Sequence, residues 1–536
     1  MNVRKISCYL VVALALAGFS AVAHAQYSGL YTFNMGYDGS NPYWADLLAQ
    51  GLDGNLHGTM PVGSIYGRGS EFDYTMNGGV AIHPFTTSQP YDPYAGLTLG
   101  IDGNYYGASI HSTTSNSPGM LFRISTSVTG TPGVITPVYY FTGGADGTGP
   151  FAPPIQGPDG NLYGVTYDPG YTGHVYQIIM PVPGSTTTLG TLGWHYALPS
   201  LSRAPLILAN DGNLYGTYVY GGMTINGVAA HNSSGGGIFR VTLSGVFSGV
   251  YNIDPFDPNT NVNGGKGDGC TPWGPVMQAA DGYLYGTAQE CGAWEGGVVY
   301  KVKLDGTGFA VVHNFQSADG TAPSGGLVQG SDGFLYGLTT ADGAIQQIFI
   351  KGGGPLFKVG GTLFKTDTTG ANFVRLYTLA EDTLDGQGSG VQPFATPTLH
   401  TSGVIYGLTM SGGSGSTATS SYGTYNNGGE LFSYGAGLSK FISIVGIRSA
   451  HVGDTVSIIG QGFLNVTGVT FGSASVSMSK WNPRVWSDNY MTVTVPSGAT
   501  TGKVTVYTTN GTYQTLYNFT IACSGPLCGL HLPLVP

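Results

Sequence analysis

Charge is the scarcest property of this 536-residue chain, because lysine, arginine, aspartate and glutamate together make up only 9% of it. The balance is acidic, with 18 basic against 28 acidic residues and a formal net charge of −10. Such a chain lacks the basic patches that nucleic acids and anionic membrane surfaces require of their partners. The composition is not that of a disordered protein, since 41% of the residues are hydrophobic and 12% are aromatic.

Helical periodicity and the common catalytic motifs are also missing. No long window places apolar residues 3.6 positions apart with charges between them, and no run beyond the N-terminus reaches the roughly 18 apolar residues of a membrane helix. The sequence has no Gly-x-Ser-x-Gly elbow, no His-Glu-x-x-His and no phosphate loop. We therefore expect an all-β protein without a membrane span, and we assign no catalytic residue, no cofactor and no metal.

The N-terminus, residues 1–25, is predicted to be a signal peptide. Two basic residues precede an apolar run at residues 11–17, and Ala23-His24-Ala25 supplies small residues at the two positions that a signal peptidase reads. The mature chain then begins at Gln26, which is not a lipid-accepting cysteine. We expect a secreted protein, located outside the cell, at the cell surface or in the periplasm.

Cysteine is rare, and four of the five cysteines lie beyond the signal peptide. An even number in an exported protein predicts two disulfides. Cys270 and Cys291 flank an Asp-Gly turn almost symmetrically, so a hairpin at that turn would place them nearly opposite each other. Cys523 and Cys528 then pair by elimination. The alternative is a metal site, but neither a Cys-x-x-Cys motif nor a matched pair of histidines accompanies these cysteines.

Glycine, by contrast, is abundant at 90 residues, and much of it belongs to an internal repeat. The phrase Asp-Gly-Asn-Leu-Tyr-Gly stands at residues 159–164 and 211–216, and looser copies begin at residues 53, 102, 281, 332 and 402. Three other sequence markers recur with this phrase and in the same order: Asp-Gly-x-x-Pro, a Gly-Gly pair before an apolar strand, and an aromatic strand. Repeats of this length are typical of solenoids and propellers.

Each repeat is predicted to form four short antiparallel strands. The first runs from the proline to the Asp-Gly turn, the second contains Leu-Tyr-Gly, the third follows Gly-Gly, and the fourth is aromatic. Asp-Gly suits the tight turn, because glycine adopts positive φ at little cost. Seven repeats predict a seven-bladed β-propeller. The last repeat lacks a fourth strand, which either residues 30–33 or residues 441–444 would supply.

These markers, in this order, resemble the GloVer tandem repeat of secreted bacterial choice-of-anchor proteins over residues 26–437. The resemblance implies export and a propeller-like repeat, and it brings no established activity and no catalytic residues. The chain then resembles an IPT/TIG domain through Gly460-Gln461-Gly462-Phe463 and Val469-Thr470-Phe471-Gly472. Alternating β-branched and polar residues also predict an Ig-like β-sandwich over residues 438–522. Residues 523–536 are expected to form an irregular tail.

Few residues stand out as candidates for function. The acidic residues that do not precede glycine, Asp73 among them, show no organised spacing, and His57 and His313 are predicted to be structural. The repeated tyrosines are expected in the core between neighbouring sheets. The loops that differ between repeats are expected to contact ligands. Those loops are residues 66–77, 252–266, 343–355 and 411–427.

The sequence predicts a secreted, non-catalytic protein that binds an extracellular polysaccharide or protein. Two alternatives stay open: a carbohydrate-active hydrolase or lyase with its carboxylates in the propeller channel, and a structural component of the envelope or matrix. Residues 259–264 resemble the start of a calcium loop, but the acidic residues at its first and twelfth places are missing, which favours a plain turn.

Overall fold

The computed structural model describes most of residues 27–522, and these residues form almost nothing but β-strands. The described part of the chain has no helix that is long and apolar enough to cross a membrane. The signal peptide, the calcium-loop-like segment and the cysteines at 523 and 528 lie outside the described residues. So do residues 35, 41–47, 88, 115–116, 126–132, 169, 183–188, 228–234, 255–266, 342–346, 350–354, 358–359, 380–390, 411, 413–416, 421–422, 427, 478 and 480–481.

Seven four-stranded antiparallel sheets follow one another along the chain, one for each repeat. Their strands, in spatial order, are Leu48–Gln50, Leu56–Met60, Ser70–Tyr74 and Val80–Pro84 in sheet 1; Leu97–Leu99, Tyr105–Ser109, Met120–Ile124 and Ile135–Tyr140 in sheet 2; Ile155–Gln156, Leu162–Val165, Gly173–Ile179 and Thr191–Leu198 in sheet 3; Ile207–Leu208, Leu214–Tyr218, Gly237–Val241 and Phe247–Asn252 in sheet 4; Met277–Gln278, Leu284–Ala288, Val298–Val302 and Ala310–Asn314 in sheet 5; Val328–Gln329, Leu335–Thr339, Gly361–Thr366 and Val374–Leu379 in sheet 6; and Thr398–Leu399, Ile405–Leu408, Glu430–Tyr434 and Tyr27–Thr32 in sheet 7. The four strands predicted for each repeat are therefore present.

The repeated phrase builds the turn between the first and second strands of each sheet. In sheet 4, Gly212 takes a φ of +78°, and the Asp211 carboxylate accepts a 3.1 Å hydrogen bond from the backbone N–H of Asn213. The Tyr215 hydroxyl donates to the same carboxylate at 2.8 Å. Burial and this carboxylate raise the pKa of Tyr215, so the phenol stays protonated. One aspartate thus closes the turn and satisfies a buried hydroxyl group.

The second glycine of the phrase, Gly216 in sheet 4, is required for a different reason, which is packing. A Cβ atom on Gly216 would lie 2.5 Å from the Phe239 ring on the next strand and 2.6 Å from Leu206. The corresponding glycines of sheets 2, 3, 5, 6 and 7 also face an aromatic ring from their third strand. The repeat therefore pairs a glycine with an aromatic residue across every one of these sheets.

We expect Gly216→Ala to lower the free energy of unfolding by about 1–3 kcal/mol, because the ring and the new methyl group cannot occupy the same space. Urea denaturation measures the change. Gly212→Asn is the control, since nothing lies within 4 Å of its Cβ position and asparagine tolerates positive φ. In the double variant with Phe239→Leu, the cost of the alanine should shrink; equal costs in both backgrounds would refute the packing explanation.

Apolar clusters join each sheet to the next one along the chain. Tyr163 of sheet 3, for example, packs in one cluster with Phe239 of sheet 4. Six such clusters connect sheets 1 to 7 in order. A seventh contains Phe72 of sheet 1 together with Leu431 of sheet 7. The last sheet therefore packs against the first.

Hydrogen bonds between sheets run in the same order. Gln278 of sheet 5 accepts a 2.8 Å bond from the backbone N–H of Asn210, in the turn of sheet 4. Gln50 of sheet 1 is in the equivalent place, and it bonds to Thr401 in the turn of sheet 7 through both its amide oxygen, at 3.0 Å, and its amide nitrogen, at 2.8 Å. A glutamine at the same repeat position thus links sheet 5 to sheet 4 and sheet 1 to sheet 7.

The N-terminal strand completes sheet 7. Tyr27–Thr32 pairs antiparallel with Glu430–Tyr434, and Phe33 continues this pairing through bonds of 2.8 and 2.9 Å to the backbone of Gly428 and Gly429. Of the two strands that the sequence offered for this place, the N-terminal one occupies it. The other, at residues 441–444, contributes its Ser443–Ile444 pair to the C-terminal region.

Beyond residue 434, two further four-stranded sheets enclose a separate apolar core. Asn489 Nδ2 donates to the Asp53 carbonyl at 2.8 Å, and the Ser439 N–H donates to Ser331 Oγ at 2.8 Å. Both acceptors belong to Asp-Gly turns, so this region covers the end of the seven-sheet body where the first strands finish. Its elements are Ser443–Ile444, Thr455–Ile459, Tyr490–Thr494 and Arg484–Val485 in one sheet, Ala474–Ser475, Val466–Phe471, Val504–Thr508 and Gly511–Gln514 in the other, the parallel pair Ser449–His451 and Thr520–Ala522, and the 3-10 helix Phe463–Asn465.

Candidate ligand-binding surface

The opposite end of the seven-sheet body, where the first strands begin, carries a set of mostly aromatic residues. In each sheet, the tyrosine of the repeated phrase pairs with one residue of the first strand, as Tyr215 pairs with Ile207 in sheet 4. The residue of this set lies four positions before that first-strand residue. The position in sheet 1 falls outside the described residues. We call this set the rim residues; they are Tyr94, Phe151, Arg203, Trp273, Ser324 and Phe394, from sheets 2 to 7 in order.

The segments that carry the rim residues have an unusual backbone. Asp92, Thr271, Ala322 and Gln392 each precede the proline before a rim residue, and each has a φ between +55° and +58°. Residues other than glycine avoid this region, and strain of this kind is concentrated at functional sites. The conformation is held on both sides: the Thr271 N–H, for instance, donates 3.0 Å to the carbonyl of Gly235, and its own carbonyl accepts a 3.1 Å bond from Gln289.

Rim residues of neighbouring sheets contact one another. The Tyr94 and Phe151 ring centroids lie 5.6 Å apart. The Arg203 guanidinium lies 4.9 Å from the Phe151 ring, 5.0 Å from the Trp273 ring and 4.7 Å from the ring of Tyr167. These are cation–π distances, so a positive charge holds three aromatic rings around it. The result is a continuous surface of ring faces and edges across sheets 2 to 5.

Exposed tyrosines extend this surface outwards. Tyr220 stacks edge to face with Trp273 at 6.3 Å and is 36% exposed, and Tyr171 is 65% exposed. Burial and the nearby Glu290 carboxylate raise the pKa of Tyr220, so its hydroxyl remains a hydrogen-bond donor at neutral pH. Aromatic rings with donor groups beside them are the usual makeup of a surface that binds ligands with both apolar and polar faces.

The repeated tyrosines are core residues, as the sequence predicted. Tyr163, Tyr215, Tyr285 and Tyr336 are fully buried, and Tyr406 is 7% exposed. They take no part in the rim.

His313 and His57, the two histidines named from the sequence, are both bonded to carboxylates. His313 stacks on Phe373 at 3.7 Å and bonds to Asp319 at 3.1 Å. Burial lowers the pKa of His57, but hydrogen bonds with Asp53 and Asp73 outweigh it and hold that pKa well above its ordinary value.

The interpretation of residues 66–77 as a variable loop was wrong. Ser70–Tyr74 is the third strand of sheet 1, and four of its five side chains are buried. In this repeat Gly67-Arg68-Gly69 replaces the Gly-Gly marker, and two of the strand residues are acidic. For these two reasons the strand was not predicted from the sequence.

The other three predicted loops contain strands at some of their positions. Asn252 ends the fourth strand of sheet 4, Gln347–Phe349 pairs with Pro355–Phe357, and Thr417–Ser420 pairs with Gly423–Asn426. The remainder of these segments lies largely outside the described residues.

The first strands of the seven sheets carry apolar and uncharged side chains. Across their described residues there is no aspartate or glutamate. The adjacent carboxylates Glu71 and Asp73 lie on the third strand of sheet 1 instead. Cys270 and Cys291 form a disulfide with a Cα–Cα distance of 5.4 Å, and it fixes the segment that leads to Trp273.

A family model described as the Gloeobacter/Verrucomicrobia repeat matches residues 48–265 and 234–477. Between them these matches span well over half of the chain, and the second extends beyond residue 437, where the repeat was expected to end. No curated protein matches the sequence.

Solved structures resemble the chain at low identity. One is a fungal alcohol oxidase of the AA5 family in complex with copper, 12% identical, covering 93% of this chain and 100% of its own, with a TM-score of 0.46. Another is a putative 6-phosphogluconolactonase from Bacteroides uniformis, 11% identical, covering 71% of this chain and 99% of its own, with a TM-score of 0.42. A putative 6-phosphogluconolactonase from Bacteroides fragilis is 13% identical, with coverages of 83% and 97% and a TM-score of 0.37. Similarities of this size say nothing about activity.

Proposed function

This chain belongs to the Gloeobacter/Verrucomicrobia repeat family, and from that starting point we propose that it is a secreted, non-catalytic protein that binds extracellular polysaccharide. Residues 1–25 would be removed on export. Residues 26–437 would form a seven-bladed β-propeller, residues 438–522 an Ig-like domain of the IPT/TIG type, and residues 523–536 a tail with its own disulfide.

The propeller proposal is supported by the order in which the sheets pack. Each of the seven four-stranded sheets contacts the next, and sheet 7 contacts sheet 1 through both an apolar cluster and the Gln50 side chain. Radial repetition of four-stranded sheets is the plan of a propeller. The two sheets beyond residue 434, packed around one core, support a sandwich domain at one end of its central channel.

The binding proposal rests on one observation, the aromatic rim at the end of the first strands that faces away from the C-terminal sheets. Sugar rings present C–H groups that stack on aromatic faces, and their hydroxyl groups bond to neighbouring polar groups. Trp273 and Tyr94 are half-buried members of one continuous set of contacting side chains, and Tyr220 beside Trp273 is 36% exposed. A polymer suits a surface that spans several sheets better than a single small molecule does.

We expect Trp273→Ala to weaken polysaccharide binding at least about tenfold, since a central aromatic anchor typically contributes more than 1 kcal/mol. A glycan array on the chain from Gln26 to Pro536 identifies the ligand, and titration calorimetry with that ligand gives the affinities. Trp486→Ala is the matched control, because this tryptophan is 51% exposed but belongs to the C-terminal region. It should bind as tightly as the unchanged chain.

A reducing-end assay on the glycans that bind separates binding from cleavage. Binding without new reducing ends supports the proposal, whereas release of reducing ends would replace it with the carbohydrate-active enzyme. Equal affinity in the Trp273 and Trp486 variants would move the site away from the rim. Binding to extracellular proteins alone would contradict the polysaccharide ligand.

A further inference from the structure

A cluster of titratable side chains lies on one face of sheet 1, away from the aromatic rim. His57 is on the second strand, Glu71 and Asp73 are on the third, and His83 is on the fourth. The register pairs His57 with Asp73 and Glu71 with His83, and residues two apart on a strand share a face. All four side chains therefore lie on the same face. This face is turned to sheet 2, because the Tyr105 ring packs 4.3 Å from the His57 ring.

The donor atoms of three of these side chains converge. His57 Nδ1 contacts Asp73 Oδ1 and lies 3.7 Å from Glu71 Oε1. One donor atom from each of these three residues lies within 4.8 Å of the other two. From the other side, His83 Nε2 lies 3.1 Å from Asp73 Oδ2 and 3.8 Å from Glu71 Oε2, which orients both carboxylates. One ion of ordinary size can reach a ring nitrogen and two carboxylate oxygens at this place.

The far nitrogen of His57 has the partner that a metal-bound imidazole usually has. Its Nε2 lies 3.3 Å from Asp53 Oδ1. Asp53 is itself held by Asn55, whose backbone N–H donates at 3.0 Å and whose side chain donates at 2.7 Å. A carboxylate behind a ligating histidine fixes the ring orientation, and a bound ion takes the place of the proton on the front nitrogen.

Sheet 1 departs here from a pattern that the other sheets keep. Where it pairs His57 with Asp73, the others pair a tyrosine with a cationic or uncharged polar residue. Those pairs are Tyr106–Arg123, Tyr163–Gln177, Tyr215–Arg240, Tyr285–Lys301, Tyr336–Lys365 and Tyr406–Ser433. Both members of the pair differ in sheet 1, and both new side chains are metal-ligand types.

The cluster is also largely shielded from solvent. The side chains of Glu71 and His57 are only 7% and 9% exposed. Among the described lysines and arginines, none pairs with Asp53, Glu71 or Asp73.

We propose that His57, Glu71 and Asp73 bind a divalent transition-metal ion, with His57 ligating through Nδ1. An imidazole nitrogen together with carboxylates favours ions such as Zn²⁺ over Ca²⁺ and Mg²⁺, which prefer oxygen ligands alone. Asp73 and Asp53 are 25% and 31% exposed, so the ion has a route in from solvent. Water would complete its coordination.

The test is titration of the chelator-treated chain from Gln26 with ZnCl₂, followed by calorimetry and by metal analysis after gel filtration. We expect one Zn²⁺ for each chain. The decisive variant combines His57→Tyr with Asp73→Arg, which recreates the Tyr215–Arg240 pair of sheet 4 and so should fold normally. It should lose at least about 100-fold in zinc affinity, because two of the three ligands are gone.

Two more variants sharpen the test. Asp53→Asn should weaken zinc binding by about 10- to 100-fold through the orientation of His57. His313→Gln, which alters a histidine–aspartate pair in sheet 5, should leave it unchanged. No zinc uptake by the unchanged chain would overturn the proposal, as would calcium binding in preference to zinc. So would undiminished zinc uptake by the double variant that combines His57→Tyr with Asp73→Arg, provided that this variant is as stable to heat as the metal-free unchanged chain.

Discussion

A chain without residues 27–33 is expected to lose the stable fold of its seven-sheet body. These residues are the fourth strand of sheet 7, and their removal exposes the backbone groups of Glu430–Tyr434 as a bare sheet edge. It also removes Phe33, which is fully buried and packs 5.0 Å from Phe72 of sheet 1. Loss of that side chain alone costs about 3–5 kcal/mol.

The deletion is measured by thermal unfolding and gel filtration of the chain that starts at residue 34, compared with the chain that starts at Gln26. Phe33→Ala is the milder version and should lower stability by the amount expected for one buried ring. A peptide of residues 26–36, added to the deleted chain, should restore stability, and a scrambled peptide should not. An unchanged melting temperature after deletion would contradict closure of sheet 7 by the N-terminus.

Breaking the Cys270–Cys291 disulfide should destabilise the protein by about 3 kcal/mol under oxidising conditions. The bond joins cysteines 21 positions apart, encloses the first and second strands of sheet 5 and restricts the unfolded chain. Cys270→Ser combined with Cys291→Ser is compared with the unchanged chain by urea denaturation. The difference should disappear when both are studied in reductant.

Cys523→Ser with Cys528→Ser is the control, since a disulfide between these two cysteines would close a very short loop and should contribute less. Peptide mapping of exported protein that finds Cys270 and Cys291 as free thiols would refute the disulfide. The cysteine pair also holds Thr271, whose φ is +57°, and the segment that carries Trp273. We therefore expect weaker ligand binding together with the loss of stability.

The repeat made the sheets predictable because each marker has a local physical meaning. Asp-Gly forms a turn, the Gly-Gly pair precedes the third strand, and the glycine of Leu-Tyr-Gly makes room for an aromatic ring. Where a repeat has lost one of these sequence markers, the strand that the marker indicates is no longer predicted. The third strand of sheet 1, Ser70–Tyr74, resembles a loop because its acidic residues suit the surface, and only the pairing with Leu56–Met60 explains them.

The rim has a signal in the sequence, but it emerges only when the repeats are compared position by position. The residue after the proline is aromatic in Pro93-Tyr94, Pro150-Phe151, Pro272-Trp273 and Pro393-Phe394. This signal is absent from the loops that differ in length between repeats, because the rim residue occupies the same position in every repeat. The positive φ of the residue before the proline could not have been foreseen, since residues before proline ordinarily prefer extended backbone.

The cluster of titratable side chains on sheet 1 could not be predicted from the sequence, for a different reason. His57, Glu71, Asp73 and His83 have no regular spacing, and they meet only because three adjacent strands pair in a particular register. A one-residue shift of either pairing would place the side chains on opposite faces. The substitution of histidine for the repeat tyrosine at residue 57 was the one visible sign, and it indicated a structural residue equally well.

Hydrogen exchange of the N-terminal strand tests most directly whether the seven sheets close on one another. If they do, those amides of residues 28–32 that bond to Glu430–Tyr434 should exchange as slowly as those of Ile405–Leu408 in the middle of the same sheet, because both strands open only with the whole body. Exchange of those paired amides within seconds, beside a protected second strand, would show an open array and contradict a rim built from neighbouring sheets.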